Sequence, residues 1–156
     1  MKSKNQVYTE IEIHATREQV WSVLTDFEKL SDWSSSFQNL IVEGSFETGV
    51  KATSYYKSPI PGHELKFEHH LIEVVQGVSF GWSDPLGFAG MTDHHIFKLE
   101  TLDNGHTKFV QTDGVTGGAS RFLGHLVANN MEGQYRKFNQ ELKARVESLF
   151  PKYSLQ

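Results

Sequence analysis

The 156-residue chain has no cysteine. That excludes disulfides, thiolate nucleophiles, Cys-ligated zinc and iron–sulfur clusters. No stretch approaches the roughly 18 apolar residues of a membrane span, and the opening MKSKNQVYTE has no apolar core of a secretory signal. The expectation is a cytoplasmic protein without integral membrane association. Basic charge is scarce too: fifteen Lys and Arg face nineteen Asp and Glu, for a net charge of −4. Without a basic block, the counterion release behind nucleic-acid binding is missing, and nucleic acid is not expected as a partner. No GxGxxG or Walker pattern occurs, so Gly117-Gly118 reads as a turn. Ser34-Ser35-Ser36 and Ser120 stand in no nucleophile-elbow context.

What is present is the composition of one globular domain, expected to span residues 1–156, with 38% apolar and 22% charged residues. Aromatic residues are plentiful at 12%, with eleven Phe, five Tyr and three Trp. Eight histidines exceed the acidic surplus, so protonating them all reverses the sign of the net charge and couples binding to pH near neutrality.

Val7, Thr9, Ile11 and Ile13 alternate with Tyr8, Glu10 and Glu12, which predicts a half-buried strand. Thr16-Arg17-Glu18-Gln19 is a capping box, followed at helical spacing by Val20, Leu24 and Phe27. From Phe37 to about Val115 the period changes to that of strands, at 37–46, 50–57, 63–75, 78–83, 91–102 and 106–115, divided by Gly, Pro, Asn and Asp clusters. These predict a six-strand antiparallel meander. Beyond it Leu123, Val127, Met131, Tyr135, Phe138, Leu142, Arg145 or Val146, and Leu149 recur every three or four residues, the stripe of one long helix. Gly124 and Gly133 fall inside it, either as points of close packing or as space beneath the helix.

The fold class is therefore α+β: a seven-stranded curved antiparallel sheet wrapped around a long C-terminal helix, with short helical structure after the first strand. One helix, about 10–12 Å across, covers only part of so wide a sheet. The mismatch predicts a cavity large enough for a small organic molecule.

Parity assigns the walls. In the fourth strand Leu65, Phe67, His69 and Leu71 point inward and His70 outward; in the sixth, Asp93, His95, Phe97 and Leu99 point inward and His94 outward. Phe109, Gln111, Asp113 and Val115 form the inner set of the seventh strand, Val78, Phe80 and Trp82 that of the fifth. Ala52, Ser54 and Tyr56 form that of the third, with Tyr55 a close competitor. His69 and His95 should lie roughly 10 Å apart across the Trp82 strand, a span for an organic molecule rather than for a shared metal. Neighbouring strand residues face opposite ways, so neither His69-His70 nor His94-His95 can chelate, and no metal or redox cofactor is implied. Trp33 either caps the core or forms the pocket mouth. The 84–90 loop, with Leu86 and Phe88, is either a passive hairpin end or an entrance flap.

Ile11 to Trp21, Leu24-Thr25-Asp26-Phe27, Trp33, Gly49, Phe80-Gly81-Trp82, His95 to Glu100 and Gly105 to Gln111 together resemble the START-like (SRPBCC) helix-grip superfamily. Within it, the resemblance is to the polyketide cyclase/dehydrase and lipid-transport-like group. The resemblance implies the helix-grip fold; similar proteins include carriers of hydrophobic ligands, cyclases, hydrolases and chaperone-associated domains.

The expected function is binding of a hydrophobic, aromatic or polycyclic small molecule between the sheet and the C-terminal helix. Trp33, Tyr56, His69, Trp82, His95, Gln111, Asp113, Met131 and Tyr135 are the expected ligand contacts. The alternative is a cyclase, dehydratase or hydrolase in the same cavity. There His95 serves as acid/base, Asp113 orients it, and His69 or Tyr56 polarises a carbonyl. A protein-interaction module is disfavoured because no large exposed apolar stripe stands out.

Overall fold

The structure is a computed structural model that describes residues 6–85 and 90–151, with only the backbone for 121–128 and 130. The first strand, β1 (Gln6–Ile13), leads into α1 (Arg17–Leu24). The Thr16 hydroxyl accepts from the Gln19 N–H at 3.3 Å while the Gln19 side chain accepts from the Thr16 N–H at 3.0 Å, so the helix starts where its box stands. A 3-10 helix (Phe27–Asp32) follows. Six strands come next: β2 (Phe37–Val42), β3 (Lys51–Lys57), β4 (Glu64–Val75), β5 (Ser79–Pro85), β6 (Thr92–Thr101) and β7 (Thr107–Thr116). The last element is α2 (Ser120–Leu149). Among the described residues, no helix is long and apolar enough to cross a membrane.

All pairings are antiparallel, in the order β1-β7-β6-β5-β4-β3-β2. This is the predicted meander, with β1 added beside β7. A bulge between Ile72 and Val75, where Glu73 takes φ 50, bends β4 and helps the sheet to curl. Gly81 lets β5 and β6 approach closely: a Cβ there would lie 2.2 Å from the His95 carbonyl oxygen.

Helix α2 packs on β1 and β7, and Phe138, Leu142 and Val146 join the core from it. The expectation that this helix is the only substantial cover needs correction. The 3-10 helix packs against β2, and Trp21 and Phe27 lay their rings edge-on against Phe80, at 5.9 and 5.7 Å. Trp33, just after the 3-10 helix, meets Phe138 at 5.3 Å. Large rings from the first third of the chain thus fill much of the bowl.

Two residues of the inner set are left uncovered. Leu65 and Phe67 have the inner parity, yet are 42% and 50% exposed. They lie where the β3–β4 pair runs past the end of β5, so among the described residues no strand flanks them on that side. With Ile60 at 60% exposure nearby in the chain, exposed apolar surface is more abundant than the sequence suggested.

Gly133 is exposed, and a Cβ at that position would meet nothing within 4 Å. Neither close packing nor buried space explains it. Gly133→Ala is expected to stabilise the fold by about 0.5–1 kcal/mol through helix propensity and a less flexible unfolded chain. Urea unfolding should show a higher midpoint at unchanged slope; a lower midpoint would mean that the glycine has a structural role. The surroundings of Gly124 and the tip of the 84–90 loop, including Leu86 and Phe88, lie outside the described residues.

Candidate functional site

Strand pairing assembles the polar groups of the concave face. Trp82 pairs with His95, His95 with Asp113, Phe97 with Gln111, and Asp84 with Asp93. All four pairs share the inner face, so a belt of carboxyl and imidazole groups crosses β4 to β7 beside a bank of aromatic rings. Trp82 is the partition within it. His69 stacks on the indole with ring centroids 5.0 Å apart, and His95 meets it edge-on at 5.0 Å.

On one side of Trp82, His69 is held at both nitrogens. Ser54 Oγ lies 2.6 Å from Nε2 and Asp84 Oδ2 lies 2.5 Å from Nδ1. Tyr56 hydrogen-bonds to Ser54, and burial raises its phenol pKa above the usual value. Burial lowers the His69 pKa, and Asp84 offsets part of the change. The result is a chain Tyr56–Ser54–His69–Asp84 through which a proton can be handed on. Asp84 was read as part of a turn, because Asp-Pro before a glycine-rich stretch is a turn signal; in the fold β5 continues through it.

On the other side, His95 Nε2 accepts a hydrogen bond from the Gln111 amide at 2.8 Å. Its Nδ1 stands 4.0 Å from Asp113 Oδ2, beyond hydrogen-bond length. The close partner of Asp113 is instead Tyr135 on α2, whose hydroxyl donates to Oδ2. Burial, followed by its shared hydrogen bond and charge repulsion with Asp93, pushes the Asp113 carboxyl up to about 9. Burial holds the His95 imidazole down at about 3. At neutral pH the pair is an uncharged acid beside an uncharged imidazole, so the expected arrangement of an ionised Asp113 orienting a basic His95 is not what the fold builds. His69 with Asp84 has that geometry.

Between this floor and α2 lies a cavity of about 30 Å³, lined by Ser36, Phe37, Tyr56, His95, Phe97, Gln111, Gln134, Tyr135 and Phe138. That is room for one or two water molecules and well short of the roughly 150 Å³ that takes up benzene. Among the described residues the expected ligand-sized gap is not found: around this cavity the space is occupied by the stacked rings of Phe37 and Phe97 and the tilted ring of Phe138. Of the expected contact residues, Tyr56, His95, Gln111 and Tyr135 line it. Asp113 stands behind Tyr135, and Met131 Sδ touches the Tyr135 hydroxyl at 3.8 Å. Trp82 and His69 lie to one side, and Trp33 backs Phe138. Parity had already turned Phe97 inward and helical spacing had included Phe138, but neither was assigned to the site; Ser36, Phe37 and Gln134 carried no such signal.

The floor is short of donors. Among the described residues, Gln111 Oε1 and, further along α2, Asn139 Oδ1 are buried oxygens without a hydrogen-bond donor. Such atoms are costly to leave unpaired.

Residues 4–147 match the protein family described as polyketide cyclase / dehydrase and lipid transport. Solved structures of the same fold include a Nitrosomonas europaea protein, 14% identical with TM-score 0.71, the similarity covering 98% of this chain and 100% of that one. A Rhodobacter sphaeroides protein is 15% identical with TM-score 0.72, covering 95% and 96%. A START superfamily protein from Mycobacterium smegmatis is 16% identical with TM-score 0.65, covering 92% and 98%. At these identities the likeness is one of fold alone. No curated protein is similar enough in sequence to count as a relative. With the seven-stranded sheet gripping its C-terminal helix and the match running through nearly the whole chain, the protein belongs to the polyketide cyclase/dehydrase and lipid transport family, with the START-like helix-grip fold.

Proposed function

We propose that this chain binds a hydrophobic small molecule carrying a hydrogen-bond donor, seated between the concave sheet and α2 on the Gln111–His95–Tyr135–Asp113 floor. The observation that carries the reading is the buried, unpartnered amide oxygen of Gln111 beside an aromatic-walled cavity. A donor on the ligand would satisfy it, and aromatic rings supply the apolar contact. The ligand makes its own room. Gln134 is exposed, so one side chain of the wall is free to swing outward. Trp33 and Met131 then flank the entrance, while Trp82 and His69 form the far wall.

Matched probes test this. 2-Naphthol is expected to bind more tightly than 2-methoxynaphthalene, by up to about tenfold, the worth of one hydrogen bond. Gln111→Leu should erase most of that preference and leave binding of the methoxy compound intact. Absence of binding by either probe, together with no organic molecule co-purifying from the native host in native mass spectrometry, would overturn the reading.

A second reading is acid–base chemistry on the bound molecule, favoured by the hydrogen-bonded chain that begins at Tyr56 on the cavity wall and ends at Asp84. In it His69 takes the proton-transfer role earlier given to His95. It requires a co-purifying ligand to be chemically altered by the wild-type chain and left unaltered by His69→Gln.

A further inference from the structure

We propose that Glu12, His14 and His106, at the far end of β1, form a site for one divalent transition-metal ion of the zinc class. β1 and β7 pair with Glu12 opposite Lys108 and Ile13 opposite Thr107. The turn that precedes β7 therefore lies against the residues that end β1. Glu12 has the parity of the solvent side, His14 follows the strand directly, and His106 comes from the facing turn.

The three side chains each offer a ligand atom, all within 4.8 Å of one another. His106 Nδ1 lies 2.7 Å from Glu12 Oε1, and the two imidazole centroids are 4.7 Å apart. Nitrogen and oxygen ligands about 2.0–2.2 Å from a zinc ion stand about 3.0–3.5 Å from each other. Metal entry needs the short contact to open slightly and the widest separation to close by about 1.5 Å. Side-chain rotation suffices, since the Glu12 and His14 side chains are 44% and 39% exposed.

The surroundings already hold these groups in place. Asn104 Nδ2 donates to Glu12 Oε1 at 2.9 Å. Glu147 Oε1 stands 3.5 Å from His14 Nδ1 and accepts from the His14 backbone N–H at 2.9 Å. A carboxylate beside an imidazole is the outer-shell partner that orients a metal-binding histidine. Lys143, 2.7 Å from Glu147, balances that second carboxylate and leaves Glu12 as the anionic ligand. Two imidazoles and one carboxylate suit Zn²⁺, Co²⁺ or Ni²⁺, with the remaining positions open to water or an outside ligand.

Calorimetric titration of the untagged chain with Zn²⁺ at pH 7.5 is expected to show one site per chain. His14→Ala, His106→Ala and Glu12→Gln should each weaken it by about tenfold or more. Zn²⁺ should also raise the unfolding temperature of the wild-type chain and not that of the variants. His14→Ala, at a half-buried position, serves as the folding-safe variant, checked by its melting curve without metal. Lack of one-to-one uptake below about 100 µM Zn²⁺ would overturn the proposal. So would unchanged affinity in His14→Ala and His106→Ala, which would send the metal to other histidines.

Discussion

Asp113→Asn abolishes the loss of stability that the wild-type chain shows as pH rises from 6.5 to about 9. In the folded chain Asp113 keeps its proton to about 9, because burial and the neighbouring Asp93 disfavour its anion; its ordinary value is 3.8. Between those limits the folded state holds a proton that the unfolded state has released, so stability falls with rising pH. His95 acts in the opposite sense. Buried, it stays neutral down to about 3, whereas the unfolded chain protonates it below its ordinary 6.5, so stability falls with falling pH. Burial of His69 contributes in that same direction. Between pH 3.8 and 6.5 the Asp113 slope cancels that of His95, and only the rise with pH due to His69 is left on that side of neutrality. Above 6.5 Asp113 acts alone, at about 1.4 kcal/mol per pH unit. In Asp113→Asn the alkaline slope disappears and the imidazole slope stands uncovered, so the variant gains stability as pH climbs from about 4 to 6.5. Urea melts across pH 4–9 check both limbs. A wild-type chain equally stable at 6.5 and 9, or a variant that keeps the alkaline slope, would show that Asp113 ionises normally in the fold.

The inward placement of Asp113 and His95 was legible in the sequence, because alternation against Lys98 and Glu100 fixes parity, and consecutive strands in a meander pair. The contact between Asp113 and Tyr135 was not, since parity gives a face and not the depth at which a helix crosses it. The same limit hid the filling of the bowl. Phe27 reads as part of a helix stripe that leaves Trp21 out, and Trp33 as its sequel; only tertiary packing shows the three rings against Phe80 and Phe138. Asp84 was lost to turn chemistry: Asp84-Pro85 ahead of glycines reads as a break, yet its bond to His69 and pairing with Asp93 hold it in the strand. Glu12 and His106 stand 94 residues apart in sequence. Each reads as an ordinary surface residue until β1 is known to lie beside β7, a pairing that the period-2 pattern does not specify.

Phe138→Ala should convert the cramped interior into one that admits benzene. The ring is 3% exposed, lines the cavity, and packs among Trp33, Phe37, Phe97 and Phe109 at centroid distances of 5.3, 6.2, 6.0 and 6.4 Å. Truncation of so buried a phenylalanine costs about 3–5 kcal/mol. In a chain of this size that lowers the unfolding temperature by about 10 °C. The benzyl group leaves on the order of 100 Å³, which with the existing 30 Å³ approaches the volume that benzene occupies in an apolar cavity. Neighbouring strands pair along most of their length in the sheet beneath, so the floor resists collapse into the hole. Benzene should therefore restore part of the lost stability of the variant in proportion to RT ln(1 + [L]/Kd). It should do nothing for the wild-type chain, where benzene has no donor for the Gln111 oxygen to offset the displacement of a packed ring. A thermal melt of both chains in benzene-saturated buffer separates the outcomes. Equal shifts would mean that the wild-type wall yields to any apolar body, and the binding site would then select its ligand by size alone. A variant that loses stability without rescue would mean that the rings around position 138 close over the gap, removing the physical basis for a ligand seat beneath α2.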